Sequence, residues 1–280
     1  KNCNQIHFIR FQLINILIHT LITTTTMTKT QQPAVFYVHA ALFDCDGTLV
    51  NSTGAISEFW RDFGKTRPHV DPEEIIRTSH GCRTFDVIAK WSPEDAIEEQ
   101  VTAWEGAIPD TFGHHAKPIP GSVELVKSFD KLSKEATENG KQRWAVVTSG
   151  TLPLATKWLK LLSIERPDCF ITAEKVTKGK PHPQGYQAAR DTLGYHDAHY
   201  KVVVFEDAPA GITAGKGAGA MVVGICSTYD PEKVRKSGAN IVVKDLSSFR
   251  IDSYNKETDE FKVVVDDYFY ADEQFLQESA

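Results

Sequence analysis

The chain has 280 residues, of which 41% are hydrophobic and 24% charged, and its net charge is −6 at pH 7. That length and apolar content suit one globular domain with an insertion, or two small domains. The acidic balance offers no footprint for nucleic acid, and five cysteines without a CxxC spacing argue for a reducing compartment over a disulfide framework.

The first 26 residues begin with Lys1, and residues 6–22 are apolar-rich but interrupted by His7, Arg10, Gln12, Asn15 and His19. That is a poor membrane span. A threonine run at 23–26 follows in place of a small-residue cleavage site. Met27 is the first of two methionines, so it reads as the start, with the residues before it non-native or untranslated and a targeting peptide the lesser alternative. Residues 1–33 are expected to be disordered or non-native, and the protein to be cytoplasmic, monomeric and free of membrane contact.

From Ala34 an apolar strand leads to Asp44-Cys45-Asp46-Gly47-Thr48. Aspartates spaced i, i+2 where a strand ends can emerge together into the crevice at its C-terminal tip, where open α/β sheets bind ligands. Two acids so close repel unless a cation or a shared proton relieves them. The pair implies a divalent metal, a nucleophile with an acid/base, or both. Cys45, between them, is expected to point into the core as a small apolar residue.

Residues 55–116 show helical spacing and no buried strand. Ile56, Phe59, Trp60 and Phe63 recur at i, i+3, i+4, i+7 and read as the core of a small helical unit. Asp71-Pro72-Glu73-Glu74 is a helix start with an N-cap, proline at N1 and acids in the first turn, and Ser92-Pro93-Glu94-Asp95 repeats it. The unit closes at Lys117-Pro118-Ile119-Pro120-Gly121, a stiff segment suited to a hinge.

Strands and helices then alternate. Helices are expected over 123–132, 153–162, 184–193 and 210–218, and strands over 144–148, 170–172, 201–206, 221–225 and 241–243. Residues 261–265 and the acidic aromatic tail after them are expected to add an edge strand. Such alternation gives a doubly wound parallel sheet with right-handed crossovers. The fold class is therefore α/β, a Rossmann-like core over 34–52 and 118–272, a helical cap over 53–117 and a tail over 273–280. Two patterns are set aside. Gly211 to Gly217 is one residue short of a phosphate loop and lacks its Ser/Thr, and His114-His115 reads as solvent-facing.

Asp44-x-Asp46-Gly47-Thr48 after an apolar strand, a strand ending in Thr148-Ser149-Gly150, Lys180-Pro181, and a strand ending in Glu206-Asp207 occur in this order. In that order they resemble the four motifs of the haloacid dehalogenase superfamily, mostly Mg²⁺-dependent phosphatases. Trp60 to Lys65, Ser79 to Lys90 and Tyr254 to Glu260 further resemble the yeast glycerol-phosphate phosphatases and their relatives, the 2-deoxyglucose-6-phosphate phosphatases. The resemblance covers roughly residues 35–272.

The resemblance implies that Asp44 is the nucleophile and Asp46 the general acid/base, an order that spacing alone does not give. It implies a Mg²⁺ site from Asp44, the main-chain carbonyl of Asp46, Glu206 and Asp207, with helix capping as the plainer role of the last two. Lys180 is to hold Asp44 and the phosphoryl group, the Lys-Pro pair favouring it over Lys178. Thr148 and Ser149 are to bind phosphate, N-capping being compatible with that, and Thr48 is to buttress Asp46. In the cap His80, Gly81 and Arg83 are the specificity candidates, Gly81 because it permits close approach, with Glu58, Arg61 and Asp62 behind them. The expected activity is hydrolysis of glycerol 3-phosphate or glycerol 1-phosphate through an aspartyl-phosphate, in glycerol synthesis and osmotic adaptation. The alternatives are a sugar-phosphate phosphatase, a phosphomutase and a non-catalytic scaffold.

Overall fold

The structure is a computed structural model that describes residues 32–136, 140–196 and 201–276. The reading of residues 1–31 falls outside the described residues.

The apolar run from Ala34 forms two strands, β1 (Ala34–Val38) and β2 (Ala40–Phe43), where one was expected. They part at His39, whose amide donates to the Lys201 carbonyl at 2.7 Å. The burial pattern explains the split. In β1 Ala34, Phe36 and Val38 are buried and Tyr37 is exposed, the alternation of a half-covered strand, whereas all of β2 is buried, as in a parallel sheet covered on both faces.

The cap enters through β3 (Val50–Asn51) and holds α1 (Thr53–Lys65), α2 (Pro72–Thr78), α3 (Thr84–Trp91) and α4 (Glu98–Phe112). It leaves through β4 (Lys117–Pro118), which pairs antiparallel with β3. Asp71 caps α2 as expected, its carboxylate accepting from the Glu73 and Glu74 amides. The second such signal yields only a 3-10 turn, Pro93–Asp95, and α4 starts later, at Glu98. Arg67 and Ser92 hold the Asp95 carboxylate at that turn, which ties it to the end of α1. Phe59, Trp60 and Phe63 pack as the cap core, Phe63 edge-on to Trp104 with ring centroids 5.5 Å apart.

The remaining elements are α5 (Ser122–Ala136), β5 (Trp144–Val147), α6 (Leu152–Leu161), β6 (Cys169–Ile171), α7 (Gln184–Leu193), β7 (Val202–Glu206), α8 (Pro209–Gly217), β8 (Met221–Ile225), α9 (Pro231–Lys236), β9 (Ile241–Val243), β10 (Phe249–Asn255), β11 (Glu260–Val265) and β12 (Tyr270–Ala271). The main sheet runs β12-β9-β8-β7-β2-β5-β6, parallel except for the antiparallel edge β12. Residues 261–265 are not an edge of this sheet. They lie in β11, the middle of a separate antiparallel sheet, β1-β11-β10, while the acidic aromatic tail does supply an edge of the main sheet, β12. The difference follows from β1, which left the main sheet and required a partner.

One face of the main sheet packs Phe43 parallel to Phe205, 4.8 Å between centroids, and edge-on to Phe129 at 6.0 Å. Burying each such ring contributes roughly 1.5–3 kcal/mol. On the other face α8 lies close against the strands because its glycines allow it. A Cβ on Gly215 would stand 3.0 Å from Val222 and 3.1 Å from Val204. The glycines from 211 to 217 thus serve packing, as the rejection of a phosphate loop required.

Candidate active site

The order β7-β2-β5 sets the ends of three strands side by side. Asp44 follows β2, Glu206 ends β7 with Asp207 next, and Thr148 follows β5. Lys180 arrives from the loop before α7. Its Nζ donates to Asp44 Oδ1 at 2.6 Å, to Glu206 Oε1 at 2.6 Å and to the Val147 carbonyl at 3.1 Å. Burial favours the neutral amine, but the Asp44 and Glu206 charges outweigh it and hold Lys180 protonated above the usual lysine range. Lys178 does not enter this cluster; its amide donates to Gln184 Oε1 at 2.9 Å.

Glu206 also accepts from the Tyr186 hydroxyl at 2.9 Å and, through Oε2, from the amides of Asp207 and Ala208 at 3.0 and 3.1 Å. It therefore caps the approach to α8 and faces the acid cluster at once. Gly211 is required there, since a Cβ would fall 1.6 Å from Glu206 Oε1. Asp207 is buried, and among the described residues its Oδ1 has no hydrogen-bond partner. One oxygen each from Asp44, Glu206 and Asp207 lie within 4.8 Å of one another. Burial, then the Glu206 and Asp44 charges, push Asp207 well above the usual carboxylate range. Burial pushes Asp44 up to about 7, against the opposing pull of Lys180. An oxygen-only set with an orphaned carboxylate oxygen and a surplus of negative charge fits a hard divalent cation.

Asp46 accepts from the Ser52 hydroxyl at 2.6 Å. Burial raises its pKa, and the Ser52 hydrogen bond opposes that rise. Ser52, not Thr48, is the buttress: the Thr48 hydroxyl is buried without a partner among the described residues. Cys45 is fully buried in the core, as expected. Thr148 Oγ1 accepts from the Gly150 amide at 2.9 Å, and Ser149 Oγ donates to the Gly81 carbonyl at 2.7 Å. Both stand just ahead of α6, whose N-terminal end favours anions.

These groups open on a crevice of about 70 Å³ lined by Asp44, Asp46, Ser52, Thr148 and Ser149 from the core and by Trp60, Ser79, His80, Thr84 and Glu105 from the cap. Gly81 makes the expected close approach. Its φ is +83° and a Cβ there would lie 2.8 Å from that of Ala208. His80 lines the crevice, its pKa lowered by burial and then by Lys233. Arg83 does not line it. It pairs with Asp86 at 2.8 Å and donates to the Val176 carbonyl at 2.8 Å, tying the cap to the loop that carries Lys180. Arg61 is engaged with Glu58 and Glu73, and Asp62 with Lys65, on the surface. His114 and His115 are exposed.

Residues 38–219 match the haloacid dehalogenase-like hydrolases. The chain belongs to that family. It is 47% identical to glycerol-1-phosphate phosphohydrolase 1 of Saccharomyces cerevisiae over 90% of this chain and 100% of the relative. It is 38% identical to 2-deoxyglucose-6-phosphate phosphatase 2 of the same yeast, over 79% of this chain and 93% of that one. Among solved structures, a hydrolase from Pseudomonas syringae superposes with a TM-score of 0.62 at 25% identity, covering 74% of this chain and 94% of that one. This haloacid dehalogenase-like hydrolase is a phosphoric monoester hydrolase.

Three residues at the site escaped the sequence reading. Ser52 stands six residues beyond Asp46 and gave no signal of its own. Tyr186 was hidden in a helix whose register alone brings its hydroxyl to Glu206. Glu105 was legible: with Val101 and Ile108 it recurs at i, i+4, i+7, a carboxylate on the buried stripe of α4.

Proposed function

We propose that the protein is a divalent-metal-dependent phosphatase that releases glycerol from glycerol phosphate through an aspartyl-phosphate. The buried Asp44–Lys180 pair, opening on a small crevice walled by hydroxyl groups, carries this reading. Asp44 attacks phosphorus while the ester P–O bond breaks. Asp46, whose burial favours its protonated form, gives its proton to the departing alkoxide, then takes one from the water that displaces Asp44. Lys180 orients Asp44 and balances phosphoryl charge, and Thr148 and Ser149 receive the phosphate oxygens at the mouth of α6. Asp44, Asp207 and the carbonyl of Asp46 would hold the metal, with Glu206 beside them, and Mg²⁺ suits oxygen ligands of this kind. Bound there, the ion supplies Lewis-acid polarisation and screens the phosphate from the carboxylates. The reading extends to glycerol synthesis in osmotic adaptation.

The 47% identical relative is named for glycerol 1-phosphate, which favours a three-carbon leaving group, and the 38% identical relative is named for a deoxyhexose phosphate. The test is phosphate release from glycerol 3-phosphate, 2-deoxyglucose 6-phosphate and glucose 1-phosphate with and without Mg²⁺, with Asp44→Asn as the blank. Preference for glycerol 3-phosphate that vanishes in the blank supports the reading. Preference for the deoxy sugar moves the substrate to the second class. Interconversion of sugar phosphates without net release points to a mutase.

A further inference from the structure

Glu105 is 3% exposed, sits in the cap helix α4 and lines the same crevice as Asp46. Its Oε2 accepts from the Thr151 amide at 2.7 Å, which fixes the direction of the carboxyl group across the boundary between cap and core. Burial pushes its carboxyl up to about 7, hydrogen bonds from Thr84 and Thr151 oppose that rise, and no cation is among the groups that act on it most. A carboxylate offers about four acceptor sites, and a buried acceptor left unfilled is costly. The docking of cap on core does not explain it. Lys157 already joins α6 to α4 through the Gly106 carbonyl and Asp110, and Gly106 lies against Pro153, where a Cβ would come within 3.1 Å.

We infer that Glu105 is the specificity-determining residue of the crevice, accepting a hydrogen bond from a hydroxyl on the leaving group of a small polyol phosphate. The inference rests on the proposed phosphatase reading and deepens it. Thr84 and Thr151 supply hydrogen bonds, which leaves the carboxyl with room for a further donor on the crevice side, and a neutral hydroxyl suits a group with no cation beside it. A phosphate oxyanion would find no cation beside Glu105 and would be drawn to Lys180 and the mouth of α6. The crevice therefore has two unlike ends, and a polyol phosphate enters in one orientation only. Sites built to hydrogen-bond a substrate hydroxyl discriminate strongly against analogues that lack it, because their own buried groups are then left unpaired.

The test compares glycerol 3-phosphate with propyl phosphate, the same carbon chain without hydroxyls, on the wild type, Glu105→Gln and Glu105→Asp. Glutamine keeps an acceptor for the Thr151 amide and replaces the second carboxyl oxygen by an amide nitrogen, which donates and cannot accept. Glu105→Gln is expected to cut the preference for glycerol 3-phosphate over propyl phosphate about tenfold, the loss residing in KM, and Glu105→Asp to retain part of it. Equal losses on both esters, or no loss on either, would overturn the assignment. Circular dichroism melts confirm that each variant is folded. If the wild type prefers 2-deoxyglucose 6-phosphate, the substrate reading fails by itself, and Glu105 is scored on that ester against propyl phosphate by the same ratio.

Discussion

Replacing Asp207 by asparagine should make the metal-free protein more stable while destroying its activity. One oxygen each from Asp207, Asp44 and Glu206 lie within 4.8 Å. At an effective dielectric constant of about 20, two like unit charges at that separation repel by about 3.5 kcal/mol. Lys180 offsets one of the two repulsions on Asp207, which leaves about 3 kcal/mol. Among the described residues Asp207 Oδ1 has no hydrogen-bond donor, whereas an asparagine amide has protons to offer the neighbouring carboxylates. In a unit of this size, residues 33–280, each kcal/mol moves Tm by roughly 2–4 °C. Asp207→Asn should therefore melt roughly 6–12 °C above the wild type in EDTA at pH 8. The sign of the pH dependence follows from the raised pKa of Asp207, whose ordinary value is 3.8. The folded state favours the protonated acid, so its advantage is greatest at low pH and is lost as pH rises toward the folded pKa. The gap between variant and wild type should therefore widen from pH 5 to pH 8. Mg²⁺ should raise the wild-type Tm and leave that of the variant unmoved. The assay is a circular dichroism melt at both pH values with EDTA or MgCl₂. A variant melting at or below the wild type in EDTA would refute the view that this cluster is held under charge repulsion.

Other expectations are more local. Tyr186→Phe removes one donor to Glu206, and should lower kcat a few-fold and stability by about 1 kcal/mol, read from steady-state kinetics and urea melts. Arg67→Ala should destabilise the protein by about 1–2 kcal/mol at pH 7, allowing for solvent contact at the ion pair. Arg67 and then Ser92 hold Asp95 down to about 2, below its ordinary 3.8, so that stabilisation is present above 3.8 and lost as pH falls toward 2. Melts from pH 5 to pH 2 should show the difference between variant and wild type shrinking. Arg83→Ala loosens the tie between cap and the Lys180 loop, so KM should rise by a similar factor, about two- to fivefold, for every ester. A changed rank order among esters would return Arg83 to the substrate contacts.

The strand tips were readable because a parallel strand covered on both faces is a continuous apolar run that stops where polar chemistry begins. Residues 221–225 and 241–243 were bounded correctly for that reason. The run from Ala34 defeated the same rule. Two strands in two sheets, joined at His39, have the same composition as one long strand, and the pairing that separates them lies more than 200 residues away. The contacts of Thr48 and Arg83 were hidden in another way. Both sit in the segments on which the resemblance rests, but hydroxyl direction and guanidinium reach are fixed by tertiary contacts that no spacing encodes. Gly81 was legible because its use depends on the lack of a side chain, which the sequence does state.

The β3–β4 pair has a consequence for the modular history of the chain. Adjacent strands stand about 4.8 Å apart, so residues 53–116 begin and end at almost one point in space. A short turn from Asn51 to Lys117 would span the same gap. Topologically the cap is the contents of an enlarged hairpin loop, and closing a longer loop adds only about 0.6 kcal/mol per doubling of its length. Helical units of quite different size can therefore be exchanged at this position without altering the path of the central sheet. That freedom stops at Gly121, where φ is +79° and a Cβ would stand 2.3 Å from the Leu246 backbone, so no other residue fits.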